Sequence, residues 1–315
     1  MFKDRFRTKT EEKRNNLDLP FREIKMIAIN SIFTHVLSKS KHNECTVTMQ
    51  TNDFSSLTLV AIQAALKAGE ILRKGFGSAF EINVKPGLQN FVTVYDHLSE
   101  ESIISSILEV FPSHNILAEE RGLQEISSSE DTILWIIDPL DGTTNFAHHL
   151  PLFTISIAAY SKGKGLCGVI FQPLSNELFV AEKGKGAYLN GVRLTVSNTQ
   201  KLDECLITVG LPYDAESSPF LSLQQLQHLS QRGATLRNLG SAALALAYVA
   251  AGKTDAFWMY NLHLWDIAAG ILLIEEAGGR LTQFEKKPIV SYTTSVLATN
   301  QALHQPLLNF LAHSN

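Results

Sequence analysis

Residues 133–146 read Ile133-Leu134-Trp135-Ile136-Ile137-Asp138-Pro139-Leu140-Asp141-Gly142-Thr143-Thr144-Asn145-Phe146. The first five are apolar and rich in β-forming types without alternation, the pattern of a strand buried on both faces. The run ends on Asp138, and Pro139 removes the next ladder donor, so the strand is predicted to stop there. Asp141-Gly142 predicts a turn, and Thr143, Thr144 and Asn145 are residue types that open a helix. Two carboxylates three positions apart thus stand at a strand exit, facing a helix N-terminus whose free N–H groups suit a phosphate. Paired carboxylates would repel that phosphate unless cations lay between them. Mg²⁺ is the natural candidate, because it takes hard oxygen ligands and shares them with substrate phosphates. Asp-Pro-x-Asp-Gly alone reads equally well as a strand, a proline turn and a capping Asp.

The longer string is more specific. Residues 135–146 resemble the first signature of the inositol monophosphatase family, Mg²⁺-dependent, lithium-sensitive phosphomonoesterases. Trp265-Asp266-Ile267-Ala268-Ala269-Gly270 resembles the second signature, Trp-Asp-x-Ala-Ala/Gly-Gly. The residues carry their own logic. An Asp opening an apolar helix is ordinarily its cap, and small Ala268, Ala269 and Gly270 let that helix approach neighbouring backbone closely. Packed beside the Asp138–Asp141 turn, Asp266 becomes a third cation ligand, and the resemblance implies that contact.

Composition sets the outer bounds. A chain of 315 residues can bury a large core, as one big domain or two lobes. Charged residues make up 18% and the formal net charge is -4, which gives no nucleic-acid or membrane-surface partner. Cys45, Cys167 and Cys205 are odd in number and widely spaced, against a disulfide framework or a zinc site and for a reducing, cytoplasmic compartment. No apolar run is long enough to span a bilayer.

Residues 1–52 differ in character from the rest of the chain and are expected to be an N-terminal extension. Their first sixteen residues mix acidic and basic types, and Asp4, Glu11 and Glu12 count against a transit peptide. Met49 immediately precedes the segment where the family's usual first helix would begin. Residues 1–48 therefore read as an over-called translation start, with a docking or dimer-contact arm as the alternative. Residues 53–197 are expected to form an N-terminal α+β lobe, and 198–315 a C-terminal α/β lobe. Within the first, 57–76 has the stripe of a long helix, 80–84 and 91–95 read as strands, and a helix is predicted to open at Ser99. Residues 115–118 predict a short strand delivering Glu119-Glu120, and 153–189 a series of antiparallel strands with Gly turns. Beyond 197, strands and helices alternate. With the resemblance, the fold expected is an alternating α-β-α-β-α layered sandwich.

The resemblance also assigns roles. Leu117-Ala118-Glu119-Glu120 corresponds to the family's Gly-Glu-Glu, which places Glu119 on metal and leaves Glu120 outside the first ring of ligands. Neighbours on a strand point to opposite faces, so only one of the two can enter the site directly. Val92-Thr93-Val94-Tyr95-Asp96 matches Val-Thr-x-x-Asp, and Lys85 matches a lysine on a mobile loop that closes over the metals. Glu119, Asp138 and the Leu140 carbonyl would hold one Mg²⁺, and Asp138, Asp141 and Asp266 a second. A third ion near Glu119 and Asp96 is implied. Water would lose a proton toward Glu119, oriented by Thr143 paired to Asp96, and the N–H groups of Gly142 and Thr143 would receive the phosphate. Cys167 and Cys205 are then core residues, and His148-His149 lie on a loop. Gly240-Ser241-Ala242 corresponds to residues that bind the substrate's ring hydroxyls.

One departure bears on the substrate. In Phe257-Trp258-Met259-Tyr260, inositol-specific members usually carry a Glu at the position of Met259 that hydrogen-bonds the ring, and Met accepts such a bond poorly. Inositol 1-phosphate heads the candidates. A sugar phosphate such as fructose 1,6-bisphosphate, histidinol phosphate and a 3′-phosphonucleotide are alternatives, and the lack of an Arg/Lys cluster tilts the choice to a monophosphate. A catalytically silent regulatory homologue is the non-enzyme alternative, although every expected ligand is present. Gly-x-x-x-x-Gly-Lys-Ser/Thr does not occur, and the Gly-x-Gly-x-x-Gly spelled by residues 163–168 falls where two antiparallel strands are joined rather than between a strand and a helix, against a doubly wound nucleotide-binding enzyme. The family is commonly homodimeric.

Overall fold

The computed structural model describes residues 54–84, 91–129, 131–211, 219–284 and 292–312. The expected N-terminal extension and Lys85 lie outside them.

The central apolar run forms β5 (Leu134–Asp141), and its side chains alternate between two cores. Trp135 and Ile137 face a layer of two helices, α1 (Ser56–Gly75) and α2 (Val94–Val110), while Ile136 faces the middle of the molecule. A strand covered on both faces is apolar at every position, which explains its unbroken sequence. Around it stands an eight-stranded mixed sheet ordered β10-β9-β8-β7-β6-β5-β3-β4. Its members are β3 (Asn115–Ala118), β4 (Gly122–Gln124), β6 (Thr154–Ser161), β7 (Lys164–Gln172), β8 (Glu177–Glu182), β9 (Gly186–Leu189) and β10 (Val192–Arg193). Only β3 runs parallel to β5; the remaining pairs are antiparallel.

A five-stranded sheet, β12-β11-β13-β15-β14, is built from β11 (Leu206–Val209), β12 (Thr235–Arg237), β13 (Ala256–His263), β14 (Arg280–Thr282) and β15 (Tyr292–Thr299). Between the sheets lie α5 (Ala242–Ala250) and α6 (Leu264–Glu276), and on the far side α4 (Pro219–Gln231) and α7 (Gln301–Ala312). Alternation again sorts the strand residues: Phe257 and Met259 face the middle layer, and Trp258 faces the outer one. The layers run α-β-α-β-α, as expected.

The middle layer is thin because its contact residues are small. A Cβ on Gly168 of β7 would meet the Ala269 carbonyl oxygen at 2.9 Å, so α6 lies almost directly on the strand backbone. This is the close approach that Ala268, Ala269 and Gly270 imply in the sequence. It carries the N-terminus of α6, with Asp266, to the end of β5.

Three local expectations change. Residues 91–95 do not form one strand: β2 (Phe91–Thr93) pairs with β1 (Ile82–Val84), and α2 begins at Val94 rather than Ser99. The cause is a capping box, in which Asp96 accepts the Thr93 N–H at 2.7 Å and Tyr95 N–H reaches the Thr93 hydroxyl. Pro139 does not end β5, which resumes pairing at Asp141 opposite Thr154 after an irregularity. The strand that carries Met259, β13, runs on to His263. Among the described residues, no helix is long and apolar enough to cross a membrane.

Candidate active site

The site forms where three chain segments end. Asp138 lies at the β5 irregularity and is 2% exposed, and its Oδ1 accepts the Leu140 N–H at 3.0 Å, which folds the Asp-Pro-Leu turn around it. Gly142, at φ +100°, then turns the chain into α3 (Thr143–Ala147). A Cβ there would meet the Leu152 and Gly240 carbonyl oxygens at 3.0 and 3.2 Å, so glycine is needed for both reasons. Asn145 fixes the next step, donating to the carbonyls of Leu152 and Leu239 at 2.6 and 2.8 Å. Phe146 packs among Phe80, Tyr95 and Phe153 beneath.

Asp141 reaches across the molecule. Its Oδ2 accepts the Ser241 hydroxyl at 2.6 Å and the Ala243 N–H at 2.7 Å, so the carboxylate caps α5 together with Ser241. Asp266 sits at the third position of α6 and accepts the His263 N–H at 2.6 Å. The capping role that its sequence position allows is therefore filled by one carboxylate oxygen. Glu119 follows β3, tied to β5 through its N–H to the Ile137 carbonyl at 3.2 Å. Asp96 is buried in α2, where its Oδ1 accepts the Thr143 hydroxyl at 3.0 Å.

These carboxylates sense one another. Withdrawal from water pushes Asp138 well above the usual carboxylate range, and the charges of Glu119, Asp141 and Asp266 push it further. Asp266 is raised likewise, by depth and then by Asp141 and Glu119. Asp141 is raised by depth, and its hydrogen bonds from Ser241 and the α5 backbone pull the other way. Asp141 and Asp266 lie deep yet keep part of their surface open, as groups lining a cleft do. Asp96 is raised by burial against the pull of Thr93 and Thr143.

The donor chemistry fits a hard divalent cation. Four carboxylates and the Leu140 carbonyl supply only oxygen, and their mutual repulsion is what a cation would relieve. Their spacing is looser than their charge coupling: among the described residues, no three Asp, Glu, His or Cys side chains close on a point that would hold an ion. Charges interact across many ångströms, whereas Mg²⁺ needs its donors at about 2 Å. Asp141 and Asp266 have turned oxygens to backbone and hydroxyl donors instead.

Ser241 and Ala242 open α5 beside Asp141, and Met259 packs into the middle core with its sulfur over Gly210. His148 and His149 are exposed after α3. Cys167 and Cys205 are free and buried, their thiols pushed up to about 12 by burial. Sequence reasoning passed over Asn145, Ser99 and Glu100. Their signal was polar residues on buried helix faces, with Ser99 and Glu100 three and four positions after Asp96.

Comparison with known proteins agrees with this architecture. The family model for the inositol monophosphatase family matches residues 53–315. The chain is 42% identical over 254 residues to an inositol-1-monophosphatase of Caulobacter vibrioides, covering 79% of this chain and 98% of that one. It is 40% identical over 251 residues to the Nus factor SuhB of Escherichia coli, covering 79% and 93%. The crystal structure of the extragenic suppressor protein suhB from Bartonella henselae superposes with a TM-score of 0.77 at 38% identity, covering 82% and 98%. The chain belongs to the inositol monophosphatase family.

Proposed function

We propose that this protein is a Mg²⁺-dependent phosphatase that hydrolyses a small-molecule phosphate monoester, with inositol 1-phosphate first among the candidates. The supporting observation is the charge coupling among Glu119, Asp138, Asp141 and Asp266, beside the Thr143–Asp96 hydrogen bond. Glu119, Asp138 and the Leu140 carbonyl would hold one Mg²⁺, and Asp138, Asp141 and Asp266 another, with a third near Glu119 and Asp96. When bound, the ions supply charge neutralisation for the phosphoryl group and acidify the attacking water.

The chain's own residues do the rest. Glu119 accepts the proton of the attacking water. Thr143 orients that water through its hydroxyl, held by Asp96. The N–H groups of Gly142 and Thr143 receive phosphate oxygens. A phosphorus–oxygen bond forms from water, the ester bond to the alcohol breaks, and the alcohol leaves with a proton. Ser241, Ala242 and Met259 would line the alcohol's side. Lys85 is assigned to the loop before Phe91 by the resemblance alone. In this reading residues 53–197 supply most metal ligands and 198–315 the substrate wall, in a cytoplasmic, lithium-sensitive homodimer.

A regulatory role has its own support, because several relatives at 40% identity are named Nus factor SuhB. Phosphate release decides between the two. The panel is inositol 1-phosphate, fructose 1,6-bisphosphate, histidinol phosphate and a 3′-phosphonucleotide, with and without Mg²⁺ and Li⁺. Mg²⁺-dependent, Li⁺-inhibited release from inositol 1-phosphate is expected. Release from another panel member alone would reassign the substrate. Mg²⁺ binding without release from any of them would favour the regulatory role.

A further inference from the structure

One face of α2 carries three polar side chains, of which the proposed chemistry uses only Asp96. Asp96, Ser99 and Glu100 stand at positions i, i+3 and i+4, which are neighbours on a helix surface. All three are buried, at 1%, 0% and 0% exposure, where polar groups are costly unless hydrogen-bonded. Each holds a different piece of chain. Asp96 accepts the Thr143 hydroxyl at 3.0 Å. Ser99 donates its hydroxyl to the Pro139 carbonyl at 2.7 Å. Glu100 Oε2 accepts the Glu120 N–H at 2.8 Å, while Arg121 Nε stands 3.5 Å from its other oxygen.

Those three partners have one thing in common. Thr143 stands two residues after Asp141, Pro139 lies between Asp138 and Leu140, and Glu120 follows Glu119. We propose that Ser99 and Glu100 are positioning residues for the cation site: α2 acts as a template that sets the separation between the Glu119 strand end and the Asp138–Leu140 turn. The proposal rests on the Mg²⁺-phosphatase reading above.

The physical reason is that the carboxylates repel and would spread without a frame. Like charges brought to one cleft lower their energy by moving apart. Backbone anchors on a rigid helix oppose that. Pro139 has no N–H, and its carbonyl is the one polar backbone group it offers; Ser99 takes it. Glu100 brings a buried carboxylate to the strand end, with Arg121 to balance its charge. Such a group is an expensive way to bind one N–H, and an ordinary core would use an apolar side chain there.

The test uses Ser99→Ala, Glu100→Gln and Glu100→Ala in the full chain. Direct Mg²⁺ binding by calorimetry is read beside thermal unfolding without metal and the Mg²⁺ dependence of phosphate release. Ser99→Ala and Glu100→Ala should each weaken Mg²⁺ binding by roughly 10–100-fold, the cost typical of losing a group that orients metal ligands. KM for the phosphate ester at saturating Mg²⁺ should stay near wild type. Glu100→Gln keeps an oxygen for the Glu120 N–H and should recover much of the loss. Variants that fold, unfold at lower temperature and bind Mg²⁺ as wild type does would overturn the proposal, since that is the behaviour of core groups alone. A wild-type chain that binds no Mg²⁺ would overturn the proposed function and this inference with it.

Discussion

The Thr143 hydroxyl lies 3.0 Å from Asp96 Oδ1 and also 3.0 Å from the Leu140 carbonyl oxygen. One hydroxyl proton cannot serve both acceptors fully, so the side chain is poised between a buried carboxylate and a proposed metal-ligand carbonyl. The other Asp96 oxygen is occupied by the Thr93 N–H and hydroxyl, both at 2.7 Å. Asp96 is thereby fixed in direction, and Thr143 with it.

Replacing that hydroxyl separates chemistry from packing. Thr143→Val keeps the shape and removes the donor, and kcat should fall by about 10²–10⁴-fold, the range for a positioned proton-transfer group. Thr143→Ser keeps the hydroxyl and should retain most activity. Steady-state kinetics at saturating Mg²⁺ check both, and equal losses in the two variants would refute the role.

Asp138→Asn should remove Mg²⁺-dependent turnover and raise the metal-free unfolding temperature. Asp138 is raised in the folded state, so its stabilising share is present below its unfolded value and lost as pH rises through the folded value. Above its unfolded value Asp138 therefore costs folding stability, and Asn relieves that cost. Thermal unfolding at pH 7 with and without Mg²⁺ reads both effects. A variant with a lower metal-free melting point would contradict the electrostatic account.

Met259 should govern the choice of alcohol. It packs against Gly210 in the middle core and offers no good acceptor for a ring hydroxyl. Met259→Glu should raise kcat/KM for inositol 1-phosphate relative to other esters by about 5–150-fold, the equivalent of about 1–3 kcal/mol for pairing a buried polar group. Competition assays on the ester panel measure it. An unchanged ratio would remove Met259 from the substrate wall.

His304 should make the protein acid-sensitive away from the site. It is buried between the Thr282 and Thr299 hydroxyls, at 3.0 and 2.8 Å, and burial with the nearby Arg280 lowers it to about 4. The unfolded chain takes up a proton near the usual histidine value of about 6.5, while the folded chain does not until about 4. Stability is then whole above that usual value and declines as pH falls through the window between the two. At pH 5 the loss is about 2 kcal/mol relative to neutral pH. Urea unfolding at pH 7 and pH 5 should show this loss in wild type and a smaller one in His304→Gln.

Much of this is legible from local chemistry. An apolar run without alternation must be covered on both faces, and a layered sandwich covers β5 in that way. Small residues in 268–270 announce a close helix, and Gly168 under Ala269 is that contact. The start of α2 is obscured because Val92, Val94 and Tyr95 favour strands. The Thr93-x-x-Asp96 capping pattern outweighs them, and it stands in the sequence to be seen.

By itself the sequence determined most of the elements, the family and the oxygen-bearing side chains of the candidate site, because periodicity, turn residues and motif order are local properties of the chain. Only the tertiary structure decided which distant groups meet. Asp141 caps a helix that begins 101 residues later, and Glu100 of α2 binds the N–H of Glu120 beyond the end of β3. Those contacts depend on how layers stack, and stacking is set by side-chain volumes summed over three cores rather than by any one stretch.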